Sequence, residues 1–326
     1  MRAWWGAPAI RGIGVVAVLA AALASPAAHA QGYAAQWLTR VTQAARALNY
    51  SGTVLVRQGS RYDTFRLAHM FENDQESEKV LSLDGPAREV VRTANEVRYY
   101  FPDAKIVRVE PRTIRNGFPS LSPEQTANLT QYYEFKLAPG GRVAGRMTEM
   151  ATFEPRDGMR YAHRFWADAT TGLLLRSRLV NEKGDVIEEF AFTDVTYNAK
   201  LDREMVRPSW TSVPPDWQVT SSSPGEFLVD ETGWMVNKVP PGFVKISEGF
   251  RKLGGKRTAQ LVFSDGLVAI SVFVEPYTVT QTQIGLTQTG GLAQYSTRTD
   301  AYRVTVIGEA PPTTVQQIAQ SVSRKP

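Results

Sequence analysis

The fold class is decided by residues 97–110, which read VRYYFPDAKIVRVE. Apolar and polar side chains alternate in both halves of this stretch, and the Pro-Asp pair between the halves supplies turn chemistry. A period of two is typical of a half-buried strand, so the stretch predicts two strands joined by a tight turn. The residues that it predicts to point inward are Val97, Tyr99, Phe101, Val107 and Val109.

The same alternation continues on both sides of that stretch. Residues 64–69 read TFRLAH and put Phe65, Leu67 and His69 on one face of a further strand. Closely spaced strands with tight turns favour an antiparallel sheet. We expect Phe65 and Leu67 to share one covered face with the five inward residues of the first stretch. That face is either a closed core or an open pocket that admits acyl chains.

Helical patterns precede and interrupt the predicted sheet. Apolar residues at helical spacing predict a helix over Tyr33–Leu48. A second helix is predicted over Pro119–Gln131, because Ser122 is a good N-cap residue and Pro123 suits the first turn. Residues 31–208 therefore read as a large antiparallel sheet packed on helices, within a β-rich α+β fold.

The first thirty residues have the pattern of a signal peptide. Arg2 and Arg11 supply positive charge, Ile13–Ala24 is an apolar run, and Ala28-His29-Ala30 is a small-x-small cleavage site. We expect cleavage near Ala30 and export as a soluble protein to the periplasm or the outside of the cell; the alternative is an uncleaved membrane anchor. Cleavage removes two arginines and no acid, so the formal net charge falls from +5 to +3. That charge is too mild to indicate nucleic acid.

A change of composition marks a linker over residues 209–226. It carries Pro214-Pro215 and then Ser221–Gly225, which are typical of a connection between two folding units. Residues 227–326 are predicted to form a smaller C-terminal α+β domain, with a turn at Ser264-Asp265-Gly266. Its predicted strands are Gln260–Phe263, Val268–Glu275 and Arg303–Ile307, and its closing helix presents the apolar stripe Val315, Ile318, Ala319 and Val322.

The sequence carries no recognisable catalytic or metal-binding motif. It contains no Cys, which excludes disulfides, a thiol nucleophile and cysteine zinc ligands. His69 and His163 are far apart, and the apolar strand face around His69 is typical of a buried histidine. Residues 249–257 resemble a phosphate-binding loop, but Arg257 stands where Ser or Thr binds magnesium, so we expect a basic hairpin. A non-enzymatic binding protein without cofactor or metal is predicted.

Five basic side chains lie within or next to the first stretch: Arg98, Lys105, Arg108, Arg112 and Arg115. Guanidinium groups suit bidentate contact with phosphate. One hypothesis is that this strip contacts phospholipid head groups or lipopolysaccharide phosphates. The alternative is a solvated outer face of the sheet.

A series of short motifs runs along nearly the whole mature chain. Each motif is weak alone, but together, in order and after a signal peptide, they are specific. The motifs of the first domain are Asn49–Thr53, Leu83–Pro86, Arg88–Val90, Tyr100–Asp103, Arg142–Arg146, Arg160–Tyr161, Phe165–Asp168 and Thr171–Leu173. The motifs of the second domain are Pro241–Phe243, Ser264–Leu267, Ser271–Phe273 and Val304–Glu309.

These motifs together resemble the MucB/RseB family, and the resemblance implies both a fold and a function. The first domain would be an unclosed, strongly curved antiparallel sheet packed on helices, like the lipoprotein carriers LolA and LolB. The protein would regulate an envelope-stress sigma factor by binding the periplasmic domain of a membrane anti-sigma factor and protecting it from site-1 proteolysis. Lipid or lipopolysaccharide in the first domain would favour release, and homo-oligomers are left open. The alternative is a periplasmic lipid or lipoprotein carrier without a signalling role.

Overall fold

The computed structural model describes residues 26–112, 129–197, 201–210, 212–221, 228–253, 255–278 and 284–326, with side chains from residue 32 onward. Helix α1 spans Pro26–Ala47, so it begins before the predicted cleavage site. Residues 129–132 are helical, at the end of the second predicted helix; the rest of that helix and Arg115 lie outside the described residues. None of the helices within these ranges is long and apolar enough to cross a membrane.

A large sheet follows α1. Its strands are β1 (Tyr50–Gln58), β2 (Arg61–Glu72), β3 (Gln75–Ser82), β4 (Glu89–Arg92), β5 (Glu96–Phe101), β6 (Ile106–Pro111), β7 (Tyr133–Val143), β8 (Arg146–Pro155), β9 (Ala162–Asp168), β10 (Leu174–Val180), β11 (Val186–Tyr197) and β12 (Gln218–Ser221). The strand order is β12-β6-β5-β4-β3-β2-β1-β11-β10-β9-β8-β7. Consecutive strands pair as antiparallel neighbours within β1–β6 and within β7–β11, which short turns allow. Strand β1 joins β11 in antiparallel orientation, whereas β12 joins β6 in parallel. Since β12 and β7 stand at opposite ends of this order, the sheet is unclosed.

One face of the large sheet packs on α1, and we call it the helix face. Trp37 of α1 stacks on Phe165 of β9, with ring centroids 6.2 Å apart. Cross-strand partners point to the same side of a sheet, so the register carries this face from strand to strand. It runs through Phe190 and Val56 to Leu67, and then through the partners Val80, Val90, Tyr99 and Arg108. The opposite side is the reverse face.

The register of β5 and β6 corrects the prediction that seven apolar residues share one face. Phe101 pairs with Ile106, and Tyr100 pairs with Val107. Val107 and Val109 therefore lie on the reverse face, whereas Phe65, Leu67, Val97, Tyr99 and Phe101 lie on the helix face. The turn sets this phase: Pro102–Ala104 forms a 3-10 helix, and Lys105 takes the left-handed conformation. Alternation within a strand does not fix its phase relative to the next strand.

The segment that leaves the large sheet covers the reverse face of β4–β6. Trp210 stacks on Tyr100 with ring centroids 5.4 Å apart, and Trp217 packs beside Trp210. Residues 218–221 then form β12 along β6. Most of the described part of the predicted 209–226 linker is thus packed against the first domain, because its tryptophans bury apolar surface there. Residues 222–227 lie outside the described residues.

A smaller sheet forms the second domain. Its strands are β13 (Leu228–Val229), β15 (Val244–Leu253), β16 (Lys256–Ser264), β17 (Ala269–Pro276), β18 (Gly285–Thr289), β19 (Leu292–Thr299) and β20 (Tyr302–Gly308). Its order is β13-β15-β16-β17-β20-β19-β18, and β14 (Trp234–Val236) pairs separately with β21 (Val322–Arg324). Helix α2 (Pro312–Gln320) buries Val315, Ile318 and Ala319, three residues of the predicted stripe. Residues 249–253 of β15 pair with residues 256–260 of β16, so the predicted basic hairpin is present.

The predicted fold class is confirmed: a large antiparallel sheet on helices, followed by a smaller α+β domain. The two sheets also share one hydrophobic core, which the linker composition did not predict. This core joins Trp37, Tyr133 and Phe153 of the first domain to Leu261 and Ile318 of the second. Buried apolar contacts of this kind hold the two domains against each other.

Candidate functional site

Strands β2–β6 form a pocket of about 350 Å³ on the helix face, which we call the arginine pocket. Its apolar side chains are the half-buried Phe65, Val80, Val90, Tyr99 and Phe101. Its charged side chains are Arg88, Arg92 and Arg108. The pocket thus joins an apolar floor to three guanidinium groups, a combination that suits an amphiphile with an anionic head.

The three arginines differ in how far they are neutralised. Arg92 Nη1 lies 2.5 Å from Glu78 Oε1, and Arg108 Nε lies 2.8 Å from Glu110 Oε1. Arg88 lies over the Phe65 ring, with its guanidinium carbon 5.5 Å from the ring centroid, and forms no ion pair within the described part of the chain. The Arg88 guanidinium is therefore the group most available to a phosphate or carboxylate.

The seven residues predicted to bind lipid divide into three groups. Phe65, Tyr99 and Phe101 line the arginine pocket. Leu67 packs against the neighbouring core, and Val97 shares the helix face without lining the pocket. Val107 and Val109 are wrongly assigned to this face, since they pack under the Trp210 segment on the reverse face. Phe65, Tyr99 and Phe101 are only half-buried where they line this pocket.

The predicted basic strip is brought together only in part. Arg108 lines the arginine pocket, whereas Arg98 lies on the reverse face and pairs with Glu96 at 2.5 Å. Lys105 Nζ lies 2.8 Å from Asp216 Oδ2, and Arg112 Nη2 lies 2.7 Å from Glu76 Oε2. These two cations are neutralised away from the pocket.

Two pocket arginines were missed by the sequence reading. Arg88, which immediately precedes β4, and Arg92 flank Val90 at a spacing of two, which directs all three side chains to one face of the sheet. That alternation was the signal that could have revealed them. The strand has only four residues, so its pattern is weaker than that of the longer strands.

The domain junction is the second place where charged groups converge. Arg160 Nη1 lies 3.1 Å from Asp265 Oδ2, and both side chains are fully buried. Tyr133 Oη donates to the same carboxylate oxygen at 2.8 Å. The other carboxylate oxygen accepts from the backbone NH groups of Leu267 and Val268, in the turn predicted at Ser264–Gly266.

Burial governs the charge state of this junction. It raises the pKa of the Asp265 carboxyl above its ordinary value, against the Val268 hydrogen bond and the Arg160 guanidinium, which lower it. Tyr132, Tyr133 and Phe243 surround the guanidinium, with ring centroids 5.0, 5.5 and 5.0 Å from its central carbon. Three aromatic rings and an ion pair thus fix the second domain on the first.

An unclosed sheet with an amphipathic pocket, joined firmly to a smaller α+β domain, defines a two-domain binding protein. Comparison with known proteins gives its family. The MucB/RseB N-terminal domain matches residues 33–210, and the MucB/RseB C-terminal domain matches residues 229–323. The chain therefore belongs to the MucB/RseB family of regulatory proteins.

Named relatives and solved structures support this assignment over most of the chain. The sigma-E factor regulatory protein RseB of Salmonella typhimurium is 30% identical over 290 residues, covering 87% of this chain and 89% of the relative. The AlgU regulatory protein MucB of Pseudomonas aeruginosa is 29% identical over 324 residues, covering 96% and 98%. The crystal structure of MucB in complex with MucA(peri) matches with a TM-score of 0.69 and 28% identity, covering 90% of this chain and 99% of that one.

Proposed function

We propose that this protein is a periplasmic regulator that binds the periplasmic domain of a membrane anti-sigma factor and protects it from site-1 proteolysis. The observation that carries the proposal is the similarity over both domains to MucB, whose solved complex contains MucA(peri). The packed junction of the two domains supports it further. An arrangement held by buried contacts offers a partner a fixed surface, which lowers the ordering cost of binding.

We also propose that lipid or lipopolysaccharide in the arginine pocket favours release of the partner. Arg88 and Arg108 would hold an anionic head group, and the apolar floor would take methylenes at about 0.8 kcal/mol each. Several methylenes supply the few kcal/mol that move a two-state equilibrium. By linkage, the anti-sigma fragment must weaken lipid binding by the same factor.

The test is calorimetric titration of the mature protein with the anti-sigma fragment, with and without a saturating short-chain phospholipid. We expect the fragment to bind without lipid and to bind more weakly with lipid. In a separate digestion with the site-1 protease, the bound fragment should be cleaved more slowly than the free fragment. If the fragment did not bind, the proposal that this protein is an anti-sigma-binding regulator would be overturned. Equal affinities in both titrations would remove only the lipid switch.

Variants separate the pocket from the partner surface. The pair Arg88→Glu and Arg108→Glu should weaken lipid binding by at least about tenfold, since hydrogen bonds to charged groups contribute about 1.5–3 kcal/mol. The matched control is Arg66→Glu, because Arg66 is exposed on the reverse face. Val90→Asp tests the apolar floor in the same way, because Val90 lines the pocket.

A lipid or lipoprotein carrier without a signalling role is the second candidate, and the arginine pocket favours it. A carrier needs the pocket but no anti-sigma partner. Lipid binding that Arg88→Glu abolishes, together with no affinity for the anti-sigma fragment, would identify the carrier.

A further inference from the structure

A second cavity, of about 320 Å³, lies between the two domains and is independent of the arginine pocket; we call it the junction cavity. Its floor is the helix face of β1, β9, β10 and β11, and residues of the second domain close it. The apolar lining includes Val56, Phe165, Leu179, Phe190 and Leu267. Only Leu267 in that set comes from the second domain, so the cavity exists because the two domains are packed together.

A buried histidine lines the junction cavity. His163 is 5% exposed, and its Nε2 has no hydrogen-bond partner within the described part of the protein. Burial lowers the pKa of His163 to about 4, so its ring is neutral at the pH of the periplasm. A neutral imidazole nitrogen can accept or donate one hydrogen bond, depending on the tautomer. It is a polar group that the protein itself leaves unused.

Two carboxylates stand in the same cavity. Glu188 is half-buried, and its Oε1 accepts from the Gly291 backbone NH at 2.9 Å. Glu309 lies exposed at the rim and has no hydrogen bond or ion pair to any of the described residues. Burial raises the pKa of the Glu188 carboxyl, and partial burial and the nearby charge of Glu188 raise that of Glu309. The two acids therefore gain from a cation placed between them.

The cations around the cavity do not neutralise these two acids. Arg178 Nη2 lies 3.0 Å from Glu189 Oε1, which also takes Arg176. Arg57 Nε donates to the Gly59 carbonyl, and its guanidinium lies over the Tyr62 ring. The Glu189 charge is thus taken up by its own partners, and the Glu188 and Glu309 charges remain for a ligand.

The register gives the spacing between the two polar ends of the cavity. Glu188 pairs with Leu179, and Leu179 pairs with His163. Adjacent strands lie about 4.8 Å apart, so the Cα atoms of Glu188 and His163 are about 10 Å apart, with Leu179 between them. An aliphatic chain of four or five methylenes is long enough to cross the Leu179 side chain from one polar residue to the other.

We infer that the junction cavity binds an aliphatic chain that carries an ammonium group at one end and a hydrogen-bonding group at the other. The ammonium lies between Glu188 and Glu309, the methylenes lie on Leu179 and Phe190, and the second polar group meets the His163 imidazole that lines the cavity. Two sources share this chemistry: a free α,ω-diamine and the lysine side chain of a peptide with its own amide. The arginine pocket and the junction cavity would then select opposite charges.

The experiment is calorimetric titration of the whole mature protein at pH 7.5 with four probes. They are 1,5-diaminopentane, N-acetyl-lysine methylamide, pentylamine and hexanoate. We expect saturable binding of at least one of the first two, weaker binding of pentylamine because it has no group for His163, and none of hexanoate. Tighter binding of the diamine would indicate the free ligand, and tighter binding of the lysine derivative would indicate a peptide. No saturable binding of either, or equal binding of hexanoate, would overturn the inference.

Variants then assign the site. Glu188→Gln and Glu309→Gln should each weaken the ammonium probes by roughly tenfold, the usual effect of losing one charged hydrogen-bond partner. The control is Glu182→Gln, an exposed acid in the turn between the same two strands, β10 and β11. His163→Phe should reduce the diamine to the affinity of pentylamine. An equal loss in the Glu182→Gln control, with melting temperatures unchanged, would contradict the assignment.

Discussion

Two buried carboxylates attach other parts of the chain to the large sheet. Asp265 attaches the second domain, and Glu89 attaches residues 209–221, which we call the departing segment. The two attachments differ in how deeply their cations are buried. Asp265 holds the second domain through Arg160, and neither side chain is exposed at all. Glu89 holds the departing segment: its Oε2 lies 3.2 Å from Lys79 Nζ, and Ser209 donates from its backbone NH and its hydroxyl. Here the acid is fully buried, but the cation is 14% exposed.

This difference in burial decides how much each attachment resists opening. A fully buried cation that loses its acid has no access to water, whereas the Lys79 ammonium can still be hydrated. The contact between Glu89 and the departing segment can therefore open locally. Opening the contact between Asp265 and Arg160 would require the two domains to separate. We expect the departing segment to open first and the domain junction last.

The largest expected effect is at the junction. Arg160→Met keeps most of the side-chain volume but leaves the Asp265 carboxylate buried without its cation. It should lower the free energy of unfolding by about 3–5 kcal/mol, measured by urea denaturation. The double variant Arg160→Met with Asp265→Leu should recover part of this loss, because it removes the stranded charge. A loss below about 1 kcal/mol in the single variant would show that the pair does not hold the domains.

The sequence predicted the local contacts of these two carboxylates but not their contacts with residues distant in sequence. The turn at Ser264–Gly266 was predicted correctly, since Asp265 accepts from NH groups two and three residues on. Its pairing with Arg160 joins residues 105 positions apart, and no local pattern encodes such a contact. Glu89 likewise meets Ser209 across 120 positions.

The face assignment of β5 and β6 failed for a related reason. The arginine pocket occupies one side of these strands, and Trp210 covers the other, so both faces carry apolar residues. Tyr100 is fully buried although alternation made it an outward residue. Where both faces of a strand are covered, alternation predicts the strand but not its inner face.

The second prediction uses pH to sharpen the comparison, because His163 lies at the junction end beside Tyr133, with ring centroids 6.2 Å apart. Its folded pKa is about 4 and its ordinary value is 6.5, so the unfolded chain takes up the proton first. The contribution of neutral His163 to the free energy of unfolding is therefore fully present above pH 6.5 and is lost as the pH falls toward 4. At pH 5 this one group should account for a loss of about 2 kcal/mol.

The measurement compares urea unfolding of the wild type and His163→Gln between pH 7.5 and 4.5. The difference between the two proteins isolates the histidine from the other acids and bases. We expect the wild type to lose more stability on acidification than the variant does. Parallel losses in the two proteins would mean that His163 gains its proton without opposing the fold.

The third prediction concerns the other attachment. Glu89→Gln removes the charge that faces Lys79 but keeps an oxygen for Ser209, so we expect a loss of about 1–2 kcal/mol. Limited proteolysis should cut residues 209–221 faster in this variant, while the second domain stays joined to the first. The control is Glu204→Gln: Glu204 is exposed and pairs with Arg207, so its loss should stay below about 0.5 kcal/mol. Equal cutting of wild type and variant would contradict local opening.

The smallest expected effect tests whether that opening spreads along the segment. Trp210→Leu removes the stack on Tyr100 but keeps an apolar side chain, so the free energy of unfolding should fall by about 1 kcal/mol. Among the described strands β12 pairs only with β6, so residues 218–221 should lose hydrogen-exchange protection when the tryptophan no longer holds the segment. Amide exchange at β12, with the strands of the small sheet as the internal reference, measures this directly. An equal rise in exchange in both regions would mean that the two attachments open together. The different burial of Arg160 and Lys79 would then not make the departing segment open first.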